Sequence, residues 1–161
     1  MSFDIERAIT ELELLPHPEG GFYREVFRSP TLVNTPRGER AASTSIYFAL
    51  RGGDFSGWHR VASDEVWHHY AGGEALLHLL DDSGHRIVRL GPDRDAGQVA
   101  QAVVPAGVWQ ATEAVDHALF GCTVAPGFDF ADFELADESL VEAQPGHEAL
   151  VRRLIRTAAT G

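Results

Sequence analysis

His59 and Glu65 lie close together in the middle of the chain, and their side chains are of types that handle protons or bind metal ions. An imidazole and a carboxylate that converge on one pocket can bind a divalent cation, or they can act as a general acid and base without metal. A third interpretation is a buried hydrogen bond that only satisfies two polar groups. The two residues by themselves leave these three alternatives open.

Three tryptophans flank the segments that carry these side chains, namely Trp58, Trp67 and Trp109. An aromatic lining suits a sugar or another ring-containing ligand, although core packing explains each tryptophan equally well. Gln110 follows Trp109 and offers a neutral amide that could contact a ligand or a metal ion. We take these four residues as candidates for ligand binding.

His68 and His69 are adjacent, so on a strand their side chains point to opposite faces. If Glu65 faces a pocket and the strand is regular, Trp67 and His69 face it too, whereas His68 points outward. A one-residue bulge would reverse this assignment. We therefore add His69 to the candidate ligand-binding residues.

The elements that must position these side chains are mostly short strands. Residues 43–135 contain many segments rich in β-branched and aromatic residues, separated by Gly, Pro, Asp and Ser. The predicted strands are 43–50, 57–61, 65–70, 75–80, 86–90, 101–104, 107–111 and 118–124. Such a density of strands is typical of a sandwich or a closed barrel.

Short helices are predicted at both ends of the chain. Apolar residues at helical spacing predict an amphipathic helix over 3–15, stopped by Pro16, and a closing helix over 146–157. Between the first helix and the barrel we expect a strand at 22–28 and a polar loop at 29–39. The resulting prediction is one domain, 1–161, with an N-terminal helix and strand (3–28), a barrel (43–135) and a C-terminal helix (146–157).

Composition excludes several classes of partner. The formal charge is −11, and the 13 basic residues are all arginines scattered along the chain, so no basic surface for nucleic acid is expected. No apolar run approaches the ~20 residues of a membrane helix. The acidic residues near Met1 do not resemble a secretory signal, and Cys122 is the single cysteine, so we expect a cytoplasmic protein.

The segment from Gly57 to Gly72 resembles the first cupin motif, in which a His-x-His pair is followed by a Glu and a closing Gly. His59 and Glu65 match, whereas Val61 replaces the second histidine. Residues 105–110 resemble the second motif, with Gln110 in place of its histidine. Because valine cannot coordinate and an amide oxygen is a weak ligand, His59, Glu65 and Gln110 would hold a divalent metal only weakly. We expect that no cofactor is required.

Five ordered blocks are similar to one cupin family, cupin type five, long catalogued as a domain of unknown function. The blocks are 16–25, 45–48, 58–60 with 64–68, 104–110 and 121–130. The resemblance implies an all-β cupin double-stranded β-helix, or jelly-roll barrel, with flanking short helices. It further implies a homodimer with a polar and aromatic pocket, and it makes Glu19 and Tyr23 candidate ligand-binding residues.

The cupin spacing favours a functional role for His59 and Glu65, which we predict to be catalytic. The leading hypothesis is a pocket that acts on a small polar molecule, a sugar derivative or a hydroxy or keto acid, as an epimerase or isomerase using acid/base chemistry. One alternative is a non-catalytic protein that binds a small ligand. Another is a metal-dependent cupin oxygenase or isomerase that uses His59, Glu65 and Gln110.

Overall fold

The computed structural model describes residues 2–156, which form mostly antiparallel strands with a few short helices. The strands are β1 (Leu15–Pro16), β2 (Phe22–Arg28), β3 (Leu32–Thr35), β4 (Gly38–Ala41), β5 (Thr44–Leu50), β6 (Phe55–Val61), β7 (Asp64–Gly72), β8 (Ala75–Asp81), β9 (Gly84–Leu90), β10 (Gln101–Val104), β11 (Trp109–Ala114), β12 (Ala118–Ala125) and β13 (Phe133–Leu135). The helices are α1 (Ile5–Glu11), α2 (Glu138–Ala143) and α3 (Glu148–Arg153), with a 3₁₀ turn at Phe130–Asp132. None of the described helices is long and apolar enough to cross a bilayer.

Two antiparallel sheets form the layers of the barrel. The six-stranded sheet has the order β1-β2-β5-β12-β7-β10, and the five-stranded sheet has the order β13-β6-β11-β8-β9. Most neighbouring strands are distant in sequence, as in β12, which pairs with both β5 and β7. The predicted jelly-roll fold is confirmed.

Apolar side chains fill much of the space between the sheets. Phe48, Trp67 and Phe120 are almost completely buried, together with leucines of β8 and β9. Trp67 packs edge-on against the two phenylalanines, with ring centroids 5.6 and 5.3 Å apart. Burying each such side chain contributes about 1.5–3 kcal/mol to folding. These contacts fix the indole of Trp67, which also reaches the cavity described below.

A second apolar cluster lies outside the barrel, where α2 and α3 pack on the five-stranded sheet. It contains Trp58 of β6 together with Leu140, Val151 and Leu154. Because successive side chains of a strand point to opposite faces, Trp58 contacts these helices while His59 points into the barrel.

The terminal helices differ from the sequence prediction in length. Helix α1 begins after Asp4, whose side chain accepts a hydrogen bond from the Arg7 N–H at 3.0 Å. It ends at Glu11 rather than near residue 15, because Glu13 takes a left-handed conformation, with φ of 53°, and turns the chain toward β1. The predicted helix 146–157 corresponds to the shorter α3, and its last position, Thr157, lies outside the described residues.

The prediction of a polar loop at 29–39 is wrong, because residues 32–41 form the β3–β4 hairpin. This hairpin belongs to neither layer of the barrel, so it lacks the apolar alternation of a half-buried strand. Its arginines Arg37 and Arg40 bind Asp132, with N–O distances of 3.2 and 2.8 Å. The hairpin thereby anchors the 3₁₀ turn that borders the cavity.

Candidate functional site

A cavity of about 440 Å³ lies between the two sheets. His59 and Val61 of β6 and Glu65 and Trp67 of β7 line it, because alternate residues of each strand face inward. Glu19, from the turn before β2, lies beside them. The cavity therefore brings the imidazole of His59 and the carboxyl groups of Glu19 and Glu65 together in a largely apolar interior.

Inside the cavity, the side chain of His59 is in direct polar contact with the side chain of Glu19. The Nε2 atom of His59 lies 3.0 Å from Glu19 Oε2, and its Nδ1 atom lies 2.7 Å from the carbonyl oxygen of Gly57. Because a carbonyl oxygen can only accept a hydrogen bond, Nδ1 carries a hydrogen and donates it to Gly57. The close approach of Nε2 and Oε2 consequently requires one proton between His59 and Glu19.

Burial determines how that proton is shared. It raises the pKa of Glu19 to about 8, with a smaller opposing effect of the Ser56 hydroxyl. Burial also lowers the pKa of His59, against the opposing effects of Glu65 and of the Gly57 carbonyl. Both shifts favour the uncharged forms, a carboxylic acid that donates to a neutral imidazole.

Glu65 is a second carboxyl group with an altered pKa. Trp67 Nε1–H donates to Glu65 Oε1 at 3.2 Å and to Gln110 Oε1 at 2.9 Å. Burial raises the pKa of Glu65 to about 7, while His59 lowers it and Glu19 raises it. Gln110 and Trp67 also lower it, and within residues 2–156 the hydrogen bond from Trp67 to Oε1 is the one that the Glu65 carboxyl group accepts, which leaves Oε2 for a ligand. Glu65 can therefore exchange a proton with a ligand near neutral pH.

The peptide groups around Gly57 position Glu19 against His59. The Gly57 N–H donates to the Glu19 carbonyl oxygen at 2.6 Å, while its own carbonyl accepts from His59. Gly20 has a φ of 101°, and a Cβ atom there would lie 2.5 Å from the carbonyl oxygen of Phe55. Glycine is required at this position because the turn approaches the β6 backbone so closely.

His17 also belongs to the site, although the sequence analysis did not select it. Its Nδ1 atom accepts a hydrogen bond from the Glu19 N–H at 3.1 Å, and its ring packs on Tyr23 with centroids 4.5 Å apart. Burial lowers the pKa of His17 to about 3, so this ring is neutral. His17 belongs to the family-like block 16–25, just before the double-glycine turn, and this position was the signal in the sequence that could have identified it.

An aromatic wall, formed by Phe128, Phe130 and Phe133, borders the cavity. The Phe128 and Phe130 rings lie 4.9 Å apart, and Phe133 lies 5.5 Å from the His59 ring. Arg28 donates to the Phe128 carbonyl at 2.9 Å and so holds this segment in place. Sequence reasoning missed the wall because its phenylalanines alternate with acidic residues.

Among the candidate ligand-binding residues, Glu19, Tyr23 and Trp67 line the cavity. Trp58 and Trp109 do not, because both point outward from the five-stranded sheet. His69 lies beyond Trp67, where it contacts Phe120 and the Gly73 carbonyl, so it does not reach the cavity either. Gln110 points inward but is completely buried behind Trp67.

The donor groups fit a tightly bound metal ion poorly. Nε2 of His59 faces Glu19, and the Gln110 oxygen already accepts from Trp67. Val61 offers no donor at the position of the second motif histidine. In the part of the chain that the structure describes, no three His, Cys, Asp or Glu side chains converge in a metal-binding arrangement.

Comparisons with known proteins find one matching family and several similar chains. The model of the Cupin_5 family, described as Cupin superfamily (DUF985), matches residues 6–136. An uncharacterized protein of Saccharomyces cerevisiae, YML079W, is 30% identical over 146 residues, which cover 80% of this chain and 73% of the yeast protein.

Two solved structures are similar over almost the whole chain. A hypothetical protein from Leishmania major has a TM-score of 0.89 and 34% identity, with 96% of this chain and 100% of the other covered. Protein SO0799 from Shewanella oneidensis has a TM-score of 0.86 and 38% identity, with 96% and 98% covered.

Proposed function

The chain belongs to the Cupin_5 family of the cupin superfamily, and from this premise we propose that it binds a small polar molecule and catalyses proton transfer on it, as an epimerase or isomerase does. The observation that carries the proposal is the contact of His59 Nε2 with Glu19 Oε2 at 3.0 Å beside the unpaired Oε2 of Glu65. Carboxyl groups whose pKa values are displaced toward neutrality, as those of Glu19 and Glu65 are, are typical of acid/base sites.

The proposed chemistry uses the two carboxyl groups in opposite roles. Ionised Glu65 takes a proton from a hydroxyl-bearing carbon atom next to a carbonyl group, the electron pair of the broken C–H bond forms a C=C bond, and the π pair of the carbonyl group moves to its oxygen. The proton between Glu19 and His59 goes to that oxygen, which gives an enediol. Glu65 then returns a proton to the same or the neighbouring carbon, while an enediol hydroxyl gives its proton back to the Glu19–His59 pair, which completes epimerisation or isomerisation.

The charges of the cavity favour one of the predicted ligand classes. Ionised Glu65 in the interior would repel the carboxylate of a hydroxy or keto acid. The two arginines of the lining are already engaged, Arg24 with Glu13 and Arg28 with Glu25. A sugar derivative without a carboxylate suits this cavity better, and the aromatic wall could stack on its ring.

A protein that binds a ligand without turnover is the second candidate. The observation that favours it is that both ring nitrogens of His59 already have partners inside the protein. In that case the carboxyl groups only orient the ligand.

Solvent exchange distinguishes the two functions. A panel of aldoses, ketoses and their derivatives would be incubated with the protein in deuterium oxide and followed by proton NMR. We expect deuterium to enter at a carbon next to the carbonyl, and Glu65→Gln to abolish this exchange while ligand binding persists. Glu142→Gln, an exposed change on α2, is the matched control. Binding without exchange in the unchanged protein would identify a binding protein.

A further inference from the structure

We propose that the cavity selects ligands that carry a positively charged group, an amine or a quaternary ammonium. This inference rests on the proposed function only in taking the cavity as the ligand site. It adds the charge of the ligand, which neither the sequence motifs nor the family match indicates.

The interior of the cavity offers negative charge without a cation of its own. Glu65 is only 8% exposed, and its Oε2 atom has no partner among the described residues. The neighbouring imidazoles do not supply positive charge, because burial lowers the pKa of both His17 and His59. An ammonium group beside Glu65 Oε2 would gain a charge-assisted hydrogen bond.

The charged residues of the outer lining do not offset the negative charge of the interior. Arg24 donates to Glu13 at 2.9 Å and Arg28 donates to Glu25 at 2.8 Å, so each lining arginine is matched by a lining glutamate. Asp129 adds a further carboxylate to the lining. A cation that enters the cavity therefore meets an excess of acidic groups throughout.

The aromatic rings supply the second component of cation recognition. The phenylalanines of the aromatic wall lie on the same cavity as the rings of His17 and Tyr23. The faces of aromatic rings attract cations through their quadrupole, and this attraction grows when the cation is desolvated. Carboxylates together with aromatic faces bind ammonium groups more strongly than uncharged groups of the same shape.

Proton linkage gives this inference a second signature. Burial holds the pKa values of Glu19 and Glu65 near 8 and 7, so both groups are partly protonated at neutral pH. A bound cation stabilises the carboxylate forms and displaces protons. Cation affinity must then rise as the pH rises through these values, whereas the affinity for an uncharged ligand must not.

Matched pairs of probes test the effect of charge at constant shape. Calorimetry on the full chain at about pH 7 would compare choline with its carbon isostere, in which a quaternary carbon replaces the nitrogen, and glucosamine with glucose. We expect the cation to bind at least about tenfold more tightly in each pair. Glu65→Gln should abolish most of that preference, whereas Glu142→Gln should retain it.

Choline keeps its charge at every pH, so its affinity for the unaltered protein between about pH 5.5 and pH 9 gives an independent test should Glu65→Gln fail to fold. We expect choline affinity to increase with pH and that of its isostere to stay constant.

Equal affinities within both pairs would overturn the charge preference and leave the proposed function standing. Absence of binding by all four probes would overturn both. A cation preference that persists in folded Glu65→Gln would overturn the assignment to this carboxylate.

Discussion

The imidazole of His59 and the carboxyl group of Glu19 meet at 3.0 Å inside the barrel, although one belongs to β6 and the other to the turn before β2. Both depend on one residue, Gly57, whose N–H binds the Glu19 carbonyl and whose carbonyl oxygen accepts from His59. The proton between the two side chains is therefore held by backbone geometry as well as by charge. Two measurements should therefore detect this arrangement: the pH dependence of stability, and the effect of altered packing around Gly57.

The first prediction concerns pH and stability. Because burial raises the pKa of Glu19 from 4.5 to about 8, folding takes up a proton, and stability present at low pH is lost as the pH rises to 8. Between pH 7 and 8 Glu19 dominates this loss, because the pKa of Glu65 in the folded protein is only about 7. The lowered pKa of His59 changes the stability only below pH 6.5, the normal pKa of a histidine. The free energy of unfolding should fall in this window by at most about 1.4 kcal/mol per pH unit.

Glu19→Gln should remove that slope, because an amide does not titrate and can still donate to His59 Nε2. Urea denaturation at closely spaced pH values measures the effect, with Glu142→Gln as the control. An unchanged slope in Glu19→Gln would show that Glu19 is already ionised in the folded protein.

The second prediction concerns the position of Gly57. A Cβ atom there would lie 2.5 Å from Cγ of Arg156, so Gly57→Ala forces the strand and the C-terminal segment apart. We expect a loss of about 1–3 kcal/mol in the free energy of unfolding and weaker ligand binding, because the Glu19 turn moves with Gly57. Adding Arg156→Ala should restore part of both losses. No recovery of binding in this double variant would argue against a positioning role for Gly57.

The third prediction concerns the pKa of Glu65. Trp67→Phe removes the N–H that donates to Glu65 Oε1 and Gln110 Oε1, and a lost hydrogen bond to a carboxylate raises its pKa. Carbon-13 NMR of the labelled side chain should show Glu65 titrating above its value of about 7. The unpaired oxygens should also cost about 1–3 kcal/mol of stability.

Trp58→Phe is the matched control, since the Trp58 N–H has no hydrogen-bond partner among the described residues and lies in the cluster under α2 and α3. It should leave the titration of Glu65 unchanged. Equal shifts in the two variants would mean that general loosening of the barrel, rather than the lost N–H, changes the pKa.

Much of the fold followed from the sequence, because alternation and turn residues are local signals. The inward positions of His59 and Glu65 came from the motif spacing. Trp58 and Trp109 precede the inward residues His59 and Gln110 on their strands, so strict alternation turns both tryptophans away from this cavity. The contact between Glu19 and His59 could not be predicted, because it depends on how closely the turn approaches β6.

The fourth prediction concerns assembly, and we propose a homodimer. Strand β10 is an edge of the six-stranded sheet, and on the outward face of this sheet Tyr70 and Val103 are 54% and 55% exposed. Exposed apolar residues at a sheet edge favour pairing with a second copy. Light scattering at micromolar concentration should give the mass of two chains.

Val103→Glu should shift the protein toward monomer, because it places a charge in the proposed interface. Ile87→Glu introduces the same charge at a similarly exposed position of the other sheet and should leave the dimer intact. A monomer mass for the unaltered protein would contradict the proposal.

The fifth prediction concerns metal ions. Val61 lines the cavity where the first cupin motif has a second histidine, and Gln110 is bonded to Trp67, so a divalent ion should bind weakly. A ligand that binds only the folded state stabilises it by RT ln(1 + [L]/Kd), which is about 0.4 kcal/mol when the ion concentration equals Kd. Zinc, nickel or manganese at that level, or a chelator, should shift the melting temperature by no more than about 3 °C.

A variant with both Val61→His and Gln110→His restores the histidines of the two motifs and gives the matched comparison. It should gain metal affinity and a larger melting shift, provided that circular dichroism shows it folded. Elemental analysis of untagged protein completes the test. One equivalent of tightly held transition metal in the unaltered protein, with a large loss of melting temperature on chelation, would contradict the metal-free acid/base chemistry and favour a metal-dependent cupin that uses His59, Glu65 and Gln110.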